Sequence, residues 1–119
     1  MTREELEAEF RERGSARAGG VLFGVDAALD LVSRAQDEQI PILGLEGFRT
    51  SAAGTVPSLE DIADFSAAAD AGSGGWSDAL IFLQQRRDSG LHFEIVLGRE
   101  SPSKSGVAAA ERQVLRRTP

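Results

Sequence analysis

Residues 91–97, LHFEIVL, alternate between two sets of side chains along the chain. Successive side chains of a β-strand point to opposite faces, so this period of two is typical of a strand with one apolar face. The apolar set consists of Leu91, Phe93, Ile95 and Leu97. The second set includes His92 and Glu94, which predicts a sheet with one face on a core and the other face open.

Two earlier segments also have the composition of strands, and a helical pattern separates them. Residues 21–25 form a short apolar run after a glycine pair, and residues 42–48 form a second run that contains Glu46. Between them, apolar residues recur at helical spacing until Pro41, which ends a helix. A strand, a helix and a strand within this length indicate a βαβ-sized unit.

Residues 58–69 fit two structures. A serine followed three residues later by an acid is typical of a helix start, whereas the short spacing to the preceding strand favours a hairpin. We expect a strand over residues 58–67, followed by a helix from Ser77 or Asp78 that Gly90 closes. The predicted fold is a single small α+β domain with an antiparallel or mixed sheet of 3–4 strands. Its two helices pack on one face, in the βαββαβ order of ferredoxin-like folds.

The composition divides the chain into three parts. Residues 1–20 are predicted as an N-terminal arm and linker, in which Thr2 and Glu5 match a capping box. Residues 21–98 are predicted as the α+β domain. Residues 99–119 are predicted as a polar C-terminal tail that can form a short helix.

Several chemistries are excluded or disfavoured by residue content. The chain has no cysteine, no tyrosine and one histidine, so thiolate chemistry is impossible and a multi-histidine metal site cannot be built within one chain. We therefore expect no cofactor, no metal and no catalytic residues. A net charge of −6 disfavours nucleic acid and favours a partner protein with a basic surface. The alternative is that this charge only keeps a small protein soluble. The charged start and the lack of a long apolar run predict a cytoplasmic protein without a membrane segment.

Alternation within residues 42–48 suggests where a binding surface lies. It places Ile42, Gly44, Glu46 and Phe48 on one side, and Leu43, Leu45 and Gly47 on the other. If the leucines meet the helices, Glu46 and Phe48 face outward with His92 and Glu94. The alternative is an ordinary solvated sheet face. The predicted partner-binding residues, including two from an acidic cluster, are Glu46, Phe48, Asp61, Asp64, His92 and Glu94.

The run ILGLEGFRTSAAGTVPSLEDIADFS at residues 42–66, a tryptophan-led helix and LHFEIVL together resemble small acidic bacterial proteins of the toxin-immunity type. The resemblance covers residues 21–97. It implies a non-catalytic protein that binds and neutralises a cognate toxin through an acidic surface. Two alternatives stay open: a regulatory domain that senses a small molecule, and a small enzyme that uses His92 with Glu46 or Glu94.

Overall fold

A computed structural model describes residues 1–17 and 20–99 of the chain. Helices and strands are mixed along the described sequence, which confirms the α+β class. The elements in chain order are α1 (Arg3–Phe10), β1 (Ser15–Arg17), β2 (Gly20–Leu22), α2 (Val25–Asp37), β3 (Ile42–Ser51), β4 (Gly54–Asp64), α3 (Ser66–Asp70), α4 (Trp76–Gln84) and β5 (His92–Leu97). The helix predicted within the C-terminal tail lies outside the described residues.

The described strands form two antiparallel sheets. One has the order β4-β3-β5, and the other is the β1-β2 hairpin. Phe23, just after β2, joins the sheets, because it exchanges two backbone hydrogen bonds with Phe93 of β5 at 2.8 and 2.7 Å. The ferredoxin-like order is not confirmed, since in the described part of the chain the first predicted strand pairs with β1 and is not a member of the three-stranded sheet.

One apolar core unites helices from both halves of the chain with the sheet. Helices α2 and α4 contact each other, and α2 also contacts β5 while α4 contacts β3. The largest fully buried side chains are Phe93, Leu6, Leu31, Ile40, Ile42, Leu45, Leu83 and Val32.

The N-terminal arm contributes to this core. The predicted capping box is present: the Glu5 amide donates to Thr2 Oγ1 at 3.1 Å, and the Thr2 amide donates to Glu5 Oε1 at 2.7 Å. Helix α1 then places Leu6, with no exposed surface, and Phe10 against the other core residues. Burial of one such leucine contributes about 1.5–3 kcal/mol. Part of the predicted linker is also structured, since Ser15–Arg17 pairs with β2.

The start of β3 departs from the predicted alternation. The pairs Ile42–Leu97 and Gly44–Val96 show that β3 has one more residue than β5 over this interval, which is a β-bulge. The extra residue shifts the alternation, so that Ile42 is fully buried with Leu45, while Leu43 is only half-buried and outside the core. The predicted sides of Ile42 and Leu43 were therefore wrong.

The ambiguous segment contains both kinds of structure. The strand prediction is confirmed up to Asp64, and the short helix α3 follows. Between the pairs Glu46–Ile62 and Phe48–Pro57, β3 advances by two residues and β4 by five. β4 therefore carries an irregular insertion at residues 58–61, which explains why the sequence pattern there is not that of a simple strand.

The start of α4 differs slightly from the prediction, and the first turn of α2 carries an acidic residue. Helix α2 has Gly24 as its N-cap, so Asp26 lies in the first turn, where a carboxylate suits the helix dipole. Helix α4 begins at Trp76, after Gly75 in the left-handed region with φ of 75°. The Trp76 indole donates to the carbonyl of Ile40 at 2.8 Å. Within residues 1–17 and 20–99, none of the helices has the length and apolar content to cross a bilayer.

Candidate functional site on the open face of the sheet

The cross-strand pairs bring most of the predicted site residues together. Glu46 pairs with Ile62 of β4 and with Glu94 of β5, and Phe48 pairs with His92. Directly paired side chains share a face of the sheet. This face is opposite the one that carries the buried Leu45 and Phe93, and we call it the open face. Its members are Glu46, Phe48, Ile62, Asp64, His92, Glu94 and Val96.

Two carboxylates lie on neighbouring strands at the centre of the open face. Glu46 and Glu94 are directly paired and both are half-buried. Like charges in such a pair destabilise a sheet. The Glu94 carboxylate extends towards Gly20, where an added Cβ would lie 2.6 Å from Oε2. The glycine therefore leaves room for Glu94 at the edge of β5.

An apolar hollow lies beside Glu46 on the open face. It has a volume of about 320 Å³, and its walls include Leu43, Glu46, Ile62, Asp64 and Val96. Ile62 and Val96 are 47% and 48% exposed, which is high for large apolar side chains in a sheet. The open face thus combines exposed apolar surface with carboxylates, as protein interfaces commonly do.

Asp64 is held in its ionised form at one end of the open face. Its Oδ1 accepts hydrogen bonds from the Ser66 hydroxyl at 2.6 Å and from the Ser66 amide at 2.9 Å. These two bonds, the hydroxyl first, lower the pKa of the Asp64 carboxyl below its ordinary value. The same contacts fix the chain where β4 ends and α3 begins.

Asp61 does not join the other predicted site residues. Its carboxylate accepts from the Ser58 hydroxyl at 2.6 Å and from Nε of Arg86 at 2.7 Å, close to the end of α4. These bonds, the one from Ser58 first, lower the pKa of the Asp61 carboxyl. Arg86 also lies 3.7 Å from the centre of the Phe82 ring. The insertion in β4 separates Asp61 from the open face, so its predicted role in partner binding stays a prediction.

His92 has a hydroxyl as its hydrogen-bond partner. Its Nδ1 lies 3.5 Å from Oγ1 of Thr50, and Phe48 is its cross-strand neighbour. Among the described residues no hydrogen bond joins His92 to a carboxylate. In the same part of the chain, no group of three or more histidine, aspartate or glutamate side chains is arranged to hold a metal ion.

Sequence reasoning missed the apolar part of this face. Ile62, Val96 and Leu43 border the hollow, yet none was predicted as a site residue. Alternation along residues 91–97 places Val96 on the side of His92 and Glu94, so the exposure of Val96 was predictable from the sequence. The positions of Ile62 and Leu43 depend on the two register shifts of β3, which no local pattern reveals.

A second cavity lies on the other side of β5, between α1, β2 and α2. Its volume is about 290 Å³, and Phe23, Leu31 and Leu97 form its apolar floor. The charged residues at its wall are Glu7, Arg11 and Glu94. None of the side-chain hydrogen bonds or ion pairs within the described residues involves these three. The cavity therefore offers charges of both signs beside apolar surface.

Comparisons of the chain with protein-family models, with curated proteins and with solved structures found no match. The geometry of the two surfaces is therefore what bears on function.

Proposed function

We propose that this protein is a non-catalytic binding module whose open face engages a partner protein with a basic surface. The observation that carries the proposal is the coincidence of the Glu46 and Asp64 carboxylates with the exposed side chains of Ile62 and Val96 around one hollow of the open face. In this proposal α2 and α4 cover the opposite face, and the open face is the surface that the partner covers.

Electrostatics supports a basic partner. The Glu46 and Asp64 carboxylates border the same hollow, where an arginine or lysine from a partner would pair with them. The net charge of −6 would also steer a cationic protein towards this chain. Affinity would come from the apolar members, with half-buried Phe48 as an aromatic anchor beside His92, and with exposed Ile62 and Val96 opposite Glu46 and Gly44.

The partner that we propose is a secreted bacterial toxin, which the protein neutralises in the cytoplasm before release. This identity is supported by the resemblance of residues 42–66 and 91–97 to immunity-type proteins. Co-purification of the tagged protein with the product of the adjacent gene tests it. A one-to-one complex that abolishes the toxicity of that product is the expected result, and a neighbouring product that neither binds nor harms cells would contradict it.

The surface itself is tested by matched variants of the tagged protein against the captured partner. Glu46→Gln and Ile62→Ser alter the open face, whereas Asp37→Asn removes an exposed charge near the end of α2. We expect each open-face variant to weaken binding at least tenfold and the control to leave it within twofold. Raised salt should weaken binding further. Equal effects of all three variants would contradict the proposed surface.

A second candidate function is small-molecule sensing, which is favoured by the second cavity, between α1, β2 and α2. A free amino acid would place its carboxylate near Arg11, its ammonium group near Glu7 or Glu94, and its side chain on Phe23. A thermal-shift screen with the twenty amino acids tests this function. A rise in melting temperature that Arg11→Ala abolishes would support it, and the absence of any rise would contradict it.

A further inference from the structure

The three-stranded sheet has one uncovered edge in the described part of the chain. In the order β4-β3-β5, β4 lies at one end, and at the other end β5 is bridged by Phe23. The outer edge of β4 therefore meets no strand among the described residues. Such an edge presents backbone donors and acceptors on which another strand can pair.

One hydrogen bond determines which residues of β4 present these groups. The Phe65 amide donates to the Leu43 carbonyl at 2.8 Å. Ala63 and Leu45, two residues away along each strand, are paired in the same register. In an antiparallel ladder, pairs that exchange hydrogen bonds alternate with pairs that do not. Ile62 and Asp64 therefore direct their N–H and C=O groups away from β3, towards the outer edge.

The rest of the edge is less suited to pairing. Pro57 has no amide hydrogen, and the insertion at residues 58–61 interrupts the strand. The accessible stretch is therefore residues 62–64. Its two outward-directed residues, Ile62 and Asp64, also belong to the open face, and both are exposed.

We infer that the partner adds an extended strand to β4 beside Ile62 and Asp64. Residues of the added strand that pair with Ile62 and Asp64 lie on the open face with them. We expect lysine or arginine at these alternate positions, because Asp64 and Glu46 are close to them. The positions between them are β-branched and apolar. A second copy of this chain does not fit, because β4 has no lysine or arginine to place beside Asp64 and Glu46.

This inference rests on the proposed function, since it specifies how the same partner meets the same face. The probe is the capped peptide acetyl-Lys-Val-Lys-Thr-Lys-Val-amide, titrated into the isotope-labelled full chain and followed by NMR. Alternate amides of the bound peptide point towards β4 and away from it. We expect N-methylation of the amides that point towards β4 to weaken binding at least tenfold. N-methylation of the other amides should leave binding within twofold. The two peptides have the same charge and differ only in which side of the strand loses its donors.

Protein variants give a second readout. Ile62→Pro removes the outward amide at an edge position, whereas Ile62→Thr keeps the amide and a β-branched side chain. We expect at least a tenfold loss of peptide binding for the proline variant and a smaller loss for the threonine variant. If Ile62→Pro does not fold, the N-methylated peptides still decide. In the bound wild-type protein, the amides of Ile62 and Asp64 should become protected from hydrogen exchange.

The outcomes separate this inference from the proposed function. Equal binding of both N-methylated peptides, or unprotected Ile62 and Asp64 amides in the bound state, would overturn strand addition. If Glu46→Gln still weakened binding in that case, the open face would keep its proposed function without the added strand. Two results together would overturn both the added strand and the proposed function of the open face. The peptide would fail to bind at millimolar concentration, and Glu46→Gln would leave binding of the captured partner unchanged.

Discussion

Arg86 Nε donates to Oδ1 of Asp61 across 2.7 Å and so connects β4 with the turn that follows α4. The Ser58 hydroxyl donates to Oδ2 of the same carboxylate, and the guanidinium also donates to the carbonyl of Phe82. The side chains of Asp61 and Arg86 are largely buried, with 16% and 22% of their surface exposed. This contact secures the irregular part of β4 to the helical side of the protein.

Replacement of Asp61 by asparagine should destabilise the protein. The charge-assisted hydrogen bonds from Ser58 and Arg86 would be weakened while the shape of the side chain is kept. We expect the free energy of unfolding to fall by about 1.5–3 kcal/mol at pH 7. Urea titration followed by the fluorescence of Trp76, the single tryptophan, measures this change. Exposed Asp88→Asn is the control and should change stability by less than about 0.5 kcal/mol.

The same carboxylate predicts a pH dependence of stability. Its hydrogen bonds lower the folded-state pKa of Asp61 below the ordinary value of 3.8. Stability from such a group is fully present above the unfolded-state pKa and is lost as the pH falls through the lower folded-state pKa. The difference between wild type and Asp61→Asn should therefore persist from pH 7 to 5 and shrink below about pH 4. A difference that stays constant in urea titrations down to pH 2 would contradict this role.

Two glycines with the same φ angle provide a matched pair. Gly75 and Gly90 both have φ of 75°, but an added Cβ at Gly75 would lie 2.8 Å from the Ile42 carbonyl oxygen, whereas at Gly90 nothing lies within 4 Å. Gly90→Ala should cost about 1–2 kcal/mol for the left-handed conformation alone. Gly75→Ala should cost about 1–3 kcal/mol more because of the clash. Thermal unfolding of both variants measures the difference, and equal losses would contradict the close packing of Gly75.

Hydrogen exchange of the free protein should reveal the uncovered edge. The amides of Ala63 and Phe65 point towards β3, and the Phe65 amide is bonded to Leu43. The amides of Ile62 and Asp64 point outward, so they should exchange much faster than their neighbours although they lie in the same strand. Two-dimensional NMR after transfer to heavy water resolves the four signals. Uniform protection along residues 62–65 would show that the edge of β4 is covered in solution.

Local patterns predicted the parts of the fold that depend on neighbours in sequence. The alternation of residues 91–97 agrees with the burial of Leu91, Phe93 and Leu97, and the capping box of Thr2 and Glu5 is formed. Ile42 was placed on the wrong side because its bulge arises from pairing with β5, more than fifty residues away. No local signal specifies how two distant strands match their lengths.

The candidate site follows the same division. Alternation was enough to group Glu46 with Phe48 and His92 with Glu94, and pairing of β3 with β5 joined the two groups. Asp61 and Asp64 looked equivalent in sequence, yet the insertion in β4 leaves Asp64 paired with Gly44 and Asp61 bonded to Arg86. Asp61 and Asp64 are separated because β4 has three more residues than β3 between two consecutive pairs. This difference arises from the pairing of the strands and cannot be read from the sequence of β4 alone.

The register shift opposite Gly47 separates the tip of the long β3–β4 hairpin from its base. Beyond Phe48, which still pairs with His92 of β5, the two strands pair with each other and with no third strand of the described residues, from Arg49–Val56 to the turn at Ser51 and Gly54. An isolated two-stranded ribbon is only marginally stable in water. The tip should therefore fray and re-form on its own while the base of the sheet stays folded, so its length can change without altering the core.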